Sequence, residues 1–181
     1  MEIVSFEDVH DYGPFRVKRL VVRAPHGDGT HTYYVIDRRD SVQVVAITAD
    51  GKMLMVEQER QGTRQLSLEF VAGLIDRSEN PQAAAARELE EETGYRAQSF
   101  EKLGWYYTDP AILTNRVTVF LATGCTPSGR VNQDAGEDIR TRLFDVDVLS
   151  GLIAEGRVTH GLSVAAWHLF YKRVQRSRSR T

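Results

Sequence analysis

The chain has 181 residues, 41% of them hydrophobic, which is enough for one well-buried domain and short for two. Charged residues are 27% and the formal net charge is -2, so the basic excess that nucleic-acid binding draws on is missing, and a single cysteine excludes an intrachain disulfide framework or a multi-cysteine zinc site. No basic-then-apolar leader and no run of about 18 apolar residues occurs, so the expectation is a cytoplasmic protein in a reducing setting, away from membranes.

In chain order, "SFEDVHDYG" reads as a cap or arm. "FRVKRLVVRAP" and "HTYYVID" then flank the turn-forming "HGDG" and read as a hairpin over Phe15 to Asp37. A second hairpin follows, with "SVQVVAITA" and "KMLMVEQER" on either side of Asp50-Gly51. "LSLEFVAG" (Leu66 to Gly73), "SFEKLGWYY", "RVTVFLATG" and "IRTRLFDV" are further strands, and Trp105, Tyr106 and Tyr107 are expected mostly in the core. Helical patterns span Pro81 to Thr93, roughly Val146 to Glu155 and roughly Leu162 to Val174. This divides the chain into a strand hairpin or arm over 1–40, a main domain over 41–175 and a polar tail over 176–181.

The first helix has well-marked ends: Asn80 suits the N-cap, Pro81 the first helical position, and Gly94 a left-handed stop. At about 100° per residue, Gln82, Ala85, Ala86, Leu89 and Thr93 form one arc, expected to be buried. Glu88, Glu91 and Glu92 share the neighbouring arc, while Glu90 points elsewhere. Like charges at these spacings destabilise a helix by a few tenths of a kcal/mol per pair. Arg87 can offset one of them, and clustered carboxylates are the usual partners of hard divalent cations. A solvated acidic surface is the bland alternative. The five histidines show no ligand spacing and read as structural or exposed.

Extended upstream, the pattern is Gly73, five residues, Glu79, seven residues, then Arg87-Glu88-Leu89-x-Glu91-Glu92-x-Gly94. It resembles the Nudix box of hydrolases that act on a nucleoside diphosphate linked to another moiety, departing only at Tyr95, where an aliphatic residue is usual. The resemblance implies an α/β fold, a Nudix-type α/β/α sandwich with a mixed sheet, plus the N-terminal antiparallel hairpin. It also implies a Mg²⁺ or Mn²⁺ cofactor, with Glu88, Glu91, Glu92 and the Ala72 carbonyl as metal ligands. Glu79 and Arg87 would orient the carboxylates, and Gly73 would permit a close turn.

"VEQERQGTRQLSLEFVAGLID" is similar to the corresponding part of ADP-ribose pyrophosphatases, with Pro110 near their marker proline and "AGEDIRTRLF" near the loop that carries their catalytic glutamate. On that likeness Glu137 is the expected base, alongside Glu91 and Arg87 in catalysis, and Arg60, Arg64 and Arg116 are candidates for substrate phosphate. "DPAILTNRVTVF" departs from the subgroup after the proline, with Asn115-Arg116 where an acidic pair is usual, which leaves a sugar nucleotide other than ADP-ribose open. The implied reaction is hydrolysis of the pyrophosphate bond of ADP-ribose or a related nucleoside diphosphate sugar to a nucleoside monophosphate and a sugar phosphate, by a homodimer joined through its N-terminal strands, with the Phe15 to Asp37 hairpin as the candidate element. Alternatives are a dinucleoside polyphosphate, a capped RNA or a modified nucleotide triphosphate as substrate, or a sensor that binds ADP-ribose without turnover.

Overall fold

A computed structural model describes residues 2–129, 131–132 and 138–178. They form two compact units, one of residues up to 40 together with 106–117, the other of 41–105 and the described part of 118–178.

The first unit is a three-stranded antiparallel sheet ordered β1-β2-β3, with β1 at Ile3–Asp11, β2 at Phe15–Arg23 and β3 at Thr30–Arg38. The expected hairpin is β2-β3, in unbroken register from Phe15 opposite Arg38 to Arg23 opposite Thr30. β1 is a third strand where a cap or arm was expected. It is exposed at eight of nine positions, so no apolar alternation marked it, and cross-strand ion pairs such as Arg19–Glu7 and Arg16–Asp11 help hold it. Residues 106–117 join this unit along β3, where the Ile36 N–H donates to the Ile112 carbonyl at 2.7 Å and the Thr114 hydroxyl donates to Asp37 at 2.9 Å.

The second unit is a mixed, eight-stranded sheet. Its main path runs β11 (Arg140–Asp145), β5 (Lys52–Arg60), β4 (Ser41–Thr48), β10 (Arg116–Pro127), β8 (Tyr95–Arg96). β6 (Gln65–Glu69) pairs with β5, β7 (Val71–Leu74) with β4, and β9 (Ser99–Tyr107) with β10. The run from Leu66 to Gly73, expected as one strand, is two. At Phe70 the chain changes partner, from Glu69 opposite Val56 of β5 to Val71 opposite Val44 of β4, and the Phe70 N–H leaves the ladder for the Ser163 hydroxyl at 3.0 Å. Trp105 and Tyr107 are half exposed and only Tyr106 turns inward, because an alternating strand cannot bury three successive rings on one face.

Three helices complete the unit: α1 (Pro81–Thr93), α2 (Leu149–Ala154) after a short 3-10 turn, and α3 (Gly161–Arg178). Strand alternation places α1 and α3 on opposite faces of the sheet. Val42, Val44 and Ala46 of β4 pack with Ala84, Ala85 and Leu89 of α1, whereas Gln43, between them, hydrogen-bonds Ser163 of α3. The sandwich follows from one strand that is apolar on both sides except where α3 offers a hydroxyl.

Candidate active site: a glutamate face on a glycine cradle

The ends of α1 are those expected. Asn80 has extended backbone angles and its side chain accepts the Ala83 N–H, while Gly94 ends the helix at φ 71°. The buried arc differs. Ala84, Ala85, Leu89, Glu92 and Thr93 are buried, and Gln82 and Ala86, expected inside, are exposed. At ~100° per residue this rolls the helix by roughly 60° toward its acidic flank. The acids therefore lean on the sheet: Glu92 is 5% exposed, the Glu88 side chain 14% and the Glu91 side chain 36%.

What makes room for them is Gly73 on β7. A Cβ built there would stand 1.8 Å from the Glu88 carboxyl carbon and about as close to both its oxygens, so the Glu88 carboxylate occupies the space a side chain would fill. Ala72, the residue before, lies opposite Gln43 in the β4–β7 ladder.

Arg87 organises the rest. Its Nε donates to Glu79 at 3.1 Å, Nη1 to Glu88 at 2.8 Å and Glu91 at 2.9 Å, and Nη2 to Glu79 at 3.0 Å and to the Leu74 carbonyl at 3.0 Å. A guanidinium has five N–H donors, and here all five are engaged within the protein. Glu79 is itself fixed, accepting the Asp76 N–H at 3.1 Å. The Arg87 hydrogen bonds hold the Glu79 carboxyl below the usual carboxylate range, and the Glu79 bond, more than any other influence, holds Arg87 above its ordinary value. Glu90, expected to point elsewhere, pairs with Arg96 at 2.8 Å.

The donors suit a hard divalent cation, being carboxylate oxygens on one arc, one of them in a slot that only glycine leaves. Among the described residues no three acidic, His or Cys side chains close on a single point, although Glu88 and Glu91 share one Arg87 nitrogen. Glu137 lies outside the described residues. Of the described residues, the Asn132 N–H donates to the Glu91 carbonyl at 3.0 Å, and Ile139 is buried in the core that α1 shares with β4.

The three arginines fall into different settings. Arg60, at the end of β5, clamps the fully buried Glu69 through Nε at 2.8 Å and Nη2 at 2.5 Å, so its partner is interior rather than a surface acid. Arg64 sits in the β5–β6 turn with φ 54° and is exposed. Arg116, in the first unit, is engaged by Asp40 through Nε, Nη2 and its backbone N–H. Sequence reasoning missed the buried group around Glu69, which takes in His160, Ser163 and Gln43. Glu69 was visible as the acid of Glu-x-x-Ala-Gly, but nothing local showed that a histidine about ninety positions away faces it.

The NUDIX domain family model matches residues 37–166, more than half of the chain. The chain is 31% identical over 166 residues to the ADP-ribose pyrophosphatase of Mycobacterium tuberculosis, covering 91% of this chain and 80% of that protein. With the ADP-ribose pyrophosphatase of Bacillus subtilis it shares 38% identity over 101 residues, 56% of this chain and 54% of the relative, so it spans about half of that relative's length. The GDP-mannose pyrophosphatase of Yersinia pestis is 29% identical over 141 residues, with 72% and 70% covered. The crystal structure of an ADP compounds hydrolase shares the fold, with a TM-score of 0.85 at 22% identity over 97% of this chain and 94% of that one. With its box of glycine, arginine and glutamates in place and the family model spanning most of its length, the chain belongs to the NUDIX domain family.

Proposed function

We propose that the protein is a divalent-metal-dependent pyrophosphatase of ADP-ribose or a related nucleoside diphosphate sugar, releasing a nucleoside monophosphate and a sugar phosphate. The observation that carries this is the Glu88 carboxylate in the Gly73 cradle, with Glu91 tied through Arg87 to the same lattice and Glu92 buried beside them. Relatives named for ADP-ribose and GDP-mannose support the substrate class.

Glu88, Glu91, Glu92 and the Ala72 carbonyl would hold Mg²⁺ or Mn²⁺, whose chemistry is to offset charge on a diphosphate and on the oxygens that attack and leave. The chain's own residues do the rest. Arg87 has every donor committed to protein, so its role is to hold two of the carboxylates at a fixed spacing against Glu79. Arg60 and Arg64, at one hairpin end, contact substrate phosphate, whereas Arg116 is engaged by Asp40 within the first unit and is given no part in the reaction. Glu137 takes the proton of the attacking water, a contribution worth about 10² to 10⁴ in rate for a general base.

The protein acts in the cytoplasm as a homodimer, without nucleic-acid partners. Strand β1, with Ile3, Val4, Phe6 and Val9 exposed along a sheet edge, is the surface offered to the second copy. The test is incubation with Mg²⁺ and, separately, ADP-ribose, GDP-mannose, a dinucleoside polyphosphate and a modified nucleotide triphosphate, with products resolved by chromatography. AMP and ribose 5-phosphate, or GMP and a sugar phosphate, are the expected products; turnover of only the last two compounds would refute the assignment.

A further inference from the structure

The buried polar group behind Arg60 has no part in the glutamate face. Glu69 is fully buried, and an interior carboxylate is costly unless it is paired and hydrogen-bonded. The Arg60 fork meets it with two nearly parallel bonds, the strongest geometry available to such a pair. Behind it, Ser163 Oγ accepts the Phe70 N–H at 3.0 Å and the Gln43 amide N–H at 3.2 Å, and lies 2.9 Å from His160 Nδ1, which is itself 3.3 Å from Glu69 Oε2. Nδ1 thus faces both the Ser163 hydroxyl and the Glu69 carboxylate. Burial lowers the His160 pKa, although the Glu69 charge opposes it, and the ring is neutral at neutral pH. At neutral pH the cation that meets Glu69 is therefore Arg60. Burial works to raise the Glu69 carboxyl, yet the Arg60 bond and nearby positive charge hold it below its usual range, so the pair is ionic.

We infer that Glu69 is a positioning residue for anion binding, clamping Arg60 so that the guanidinium is presented, already ordered, to the substrate diphosphate. This rests on the reading of Arg60 as a phosphate contact. An arginine carries large rotamer freedom, and one ordered before the ligand arrives loses none of it on binding. The Arg60 side chain is 38% exposed, so one flank is fixed against Glu69 while another meets solvent. Ser163 and Gln43 fix the carboxylate's surroundings and also the β6–β7 break at Phe70, from which Ala72 and Gly73 follow.

The experiment combines steady-state kinetics on ADP-ribose with Mg²⁺, calorimetric titration of inorganic pyrophosphate without metal, and thermal melts, on Arg60→Ala, Glu69→Gln, Glu69→Asp and the Arg60→Ala/Glu69→Gln double variant. Glu69→Gln should raise both KM and the pyrophosphate Kd about tenfold with kcat changed less than about threefold, as expected for loss of uniform binding. Added to Arg60→Ala, it should change either constant by less than about twofold, because no guanidinium remains to be placed. Glu69→Asp, which keeps the charge but shortens the reach, should show the same KM effect and covers the case in which Glu69→Gln fails to fold. Unchanged KM and Kd in both Glu69 variants, or effects that multiply in the double variant, would overturn the inference. Arg60→Ala without effect on either constant would remove the phosphate contact and the inference together. If ADP-ribose is not turned over while pyrophosphate binding still depends on both Arg60 and Glu69, the substrate assignment falls and the positioning role stands.

Discussion

Gly73 and Arg87 shape the acidic face of α1, one by the space it leaves for Glu88 and the other by its five hydrogen bonds. A Cβ at position 73 would stand inside the Glu88 carboxylate, so Gly73→Ala must displace that carboxylate, the movable end of a flexible side chain. We expect a melting temperature changed by no more than a few degrees but activity down by at least about a hundredfold, read by calorimetry and product formation. Arg87→Lys should fail in a similar way, since an ammonium has three donors for a network that uses five. The titrating groups give a signed expectation. His160 has a folded pKa below its ordinary 6.5, so the unfolded chain binds its proton first, and stability present above pH 6.5 is lost as pH falls from there toward the folded value. Glu69 and Glu79, both lowered from 4.5, add their loss only below pH 4.5. Melting temperature measured against pH should therefore begin to fall below about 6.5, and a His160→Gln variant should flatten that first slope while leaving the one below 4.5; an unchanged first slope would contradict the assignment.

Among the elements, α1 was the most legible and its rotation the least. Asn80, Pro81 and Gly94 mark its ends through local backbone chemistry, and the structure has them where the sequence put them. Which arc is buried is a tertiary matter. Gln82 and Ala86 would pack as well as Ala84, and the choice is made by the Gly73 cradle, which lets an acidic flank approach a strand. Likewise the break at Phe70 could not be read locally, because Leu66 to Gly73 has unbroken strand character and the change of partner needs the Ser163 hydroxyl from α3. Asn80→Ala removes the side-chain acceptor of the Ala83 N–H and should cost about 1 kcal/mol, a loss of roughly 2 to 4 °C in melting temperature for a chain of this size. Activity should survive in proportion to folded protein, since the cap touches no carboxylate of the site.

For the whole molecule, the motif made the family legible from residues 73 to 94, while the N-terminal unit gave its hairpin but hid a strand. β1 is polar and apolar on both faces, so neither alternation nor burial announced it; only its pairing with β2 defines it. A sheet edge with exposed Ile3, Val4, Phe6 and Val9 is a surface that a second copy would cover. We predict the mass of a dimer in light scattering at micromolar concentration, converted to monomer by Phe6→Lys with Val9→Lys on that strand; a monomeric mass for the unaltered protein would contradict this. The aromatic run at 105–107 shows the same boundary of sequence reading: composition says strand, but which rings face water depends on what the sheet packs against.

The central claim is that one face of α1, and not its charge as a whole, carries metal-dependent pyrophosphate hydrolysis. Its most direct test is the Mg²⁺-dependent rate of ADP-ribose hydrolysis for the unaltered protein, Glu92→Gln and Glu90→Gln, measured side by side on folded samples. Glu92 is buried on the acidic arc, while Glu90 is turned to Arg96 on another side of the helix. We predict a loss of at least about a hundredfold for Glu92→Gln and a change of less than about threefold for Glu90→Gln, which lies off the acidic arc and pairs with the half-exposed Arg96. Full activity in Glu92→Gln, or equal losses in the two variants, would contradict it.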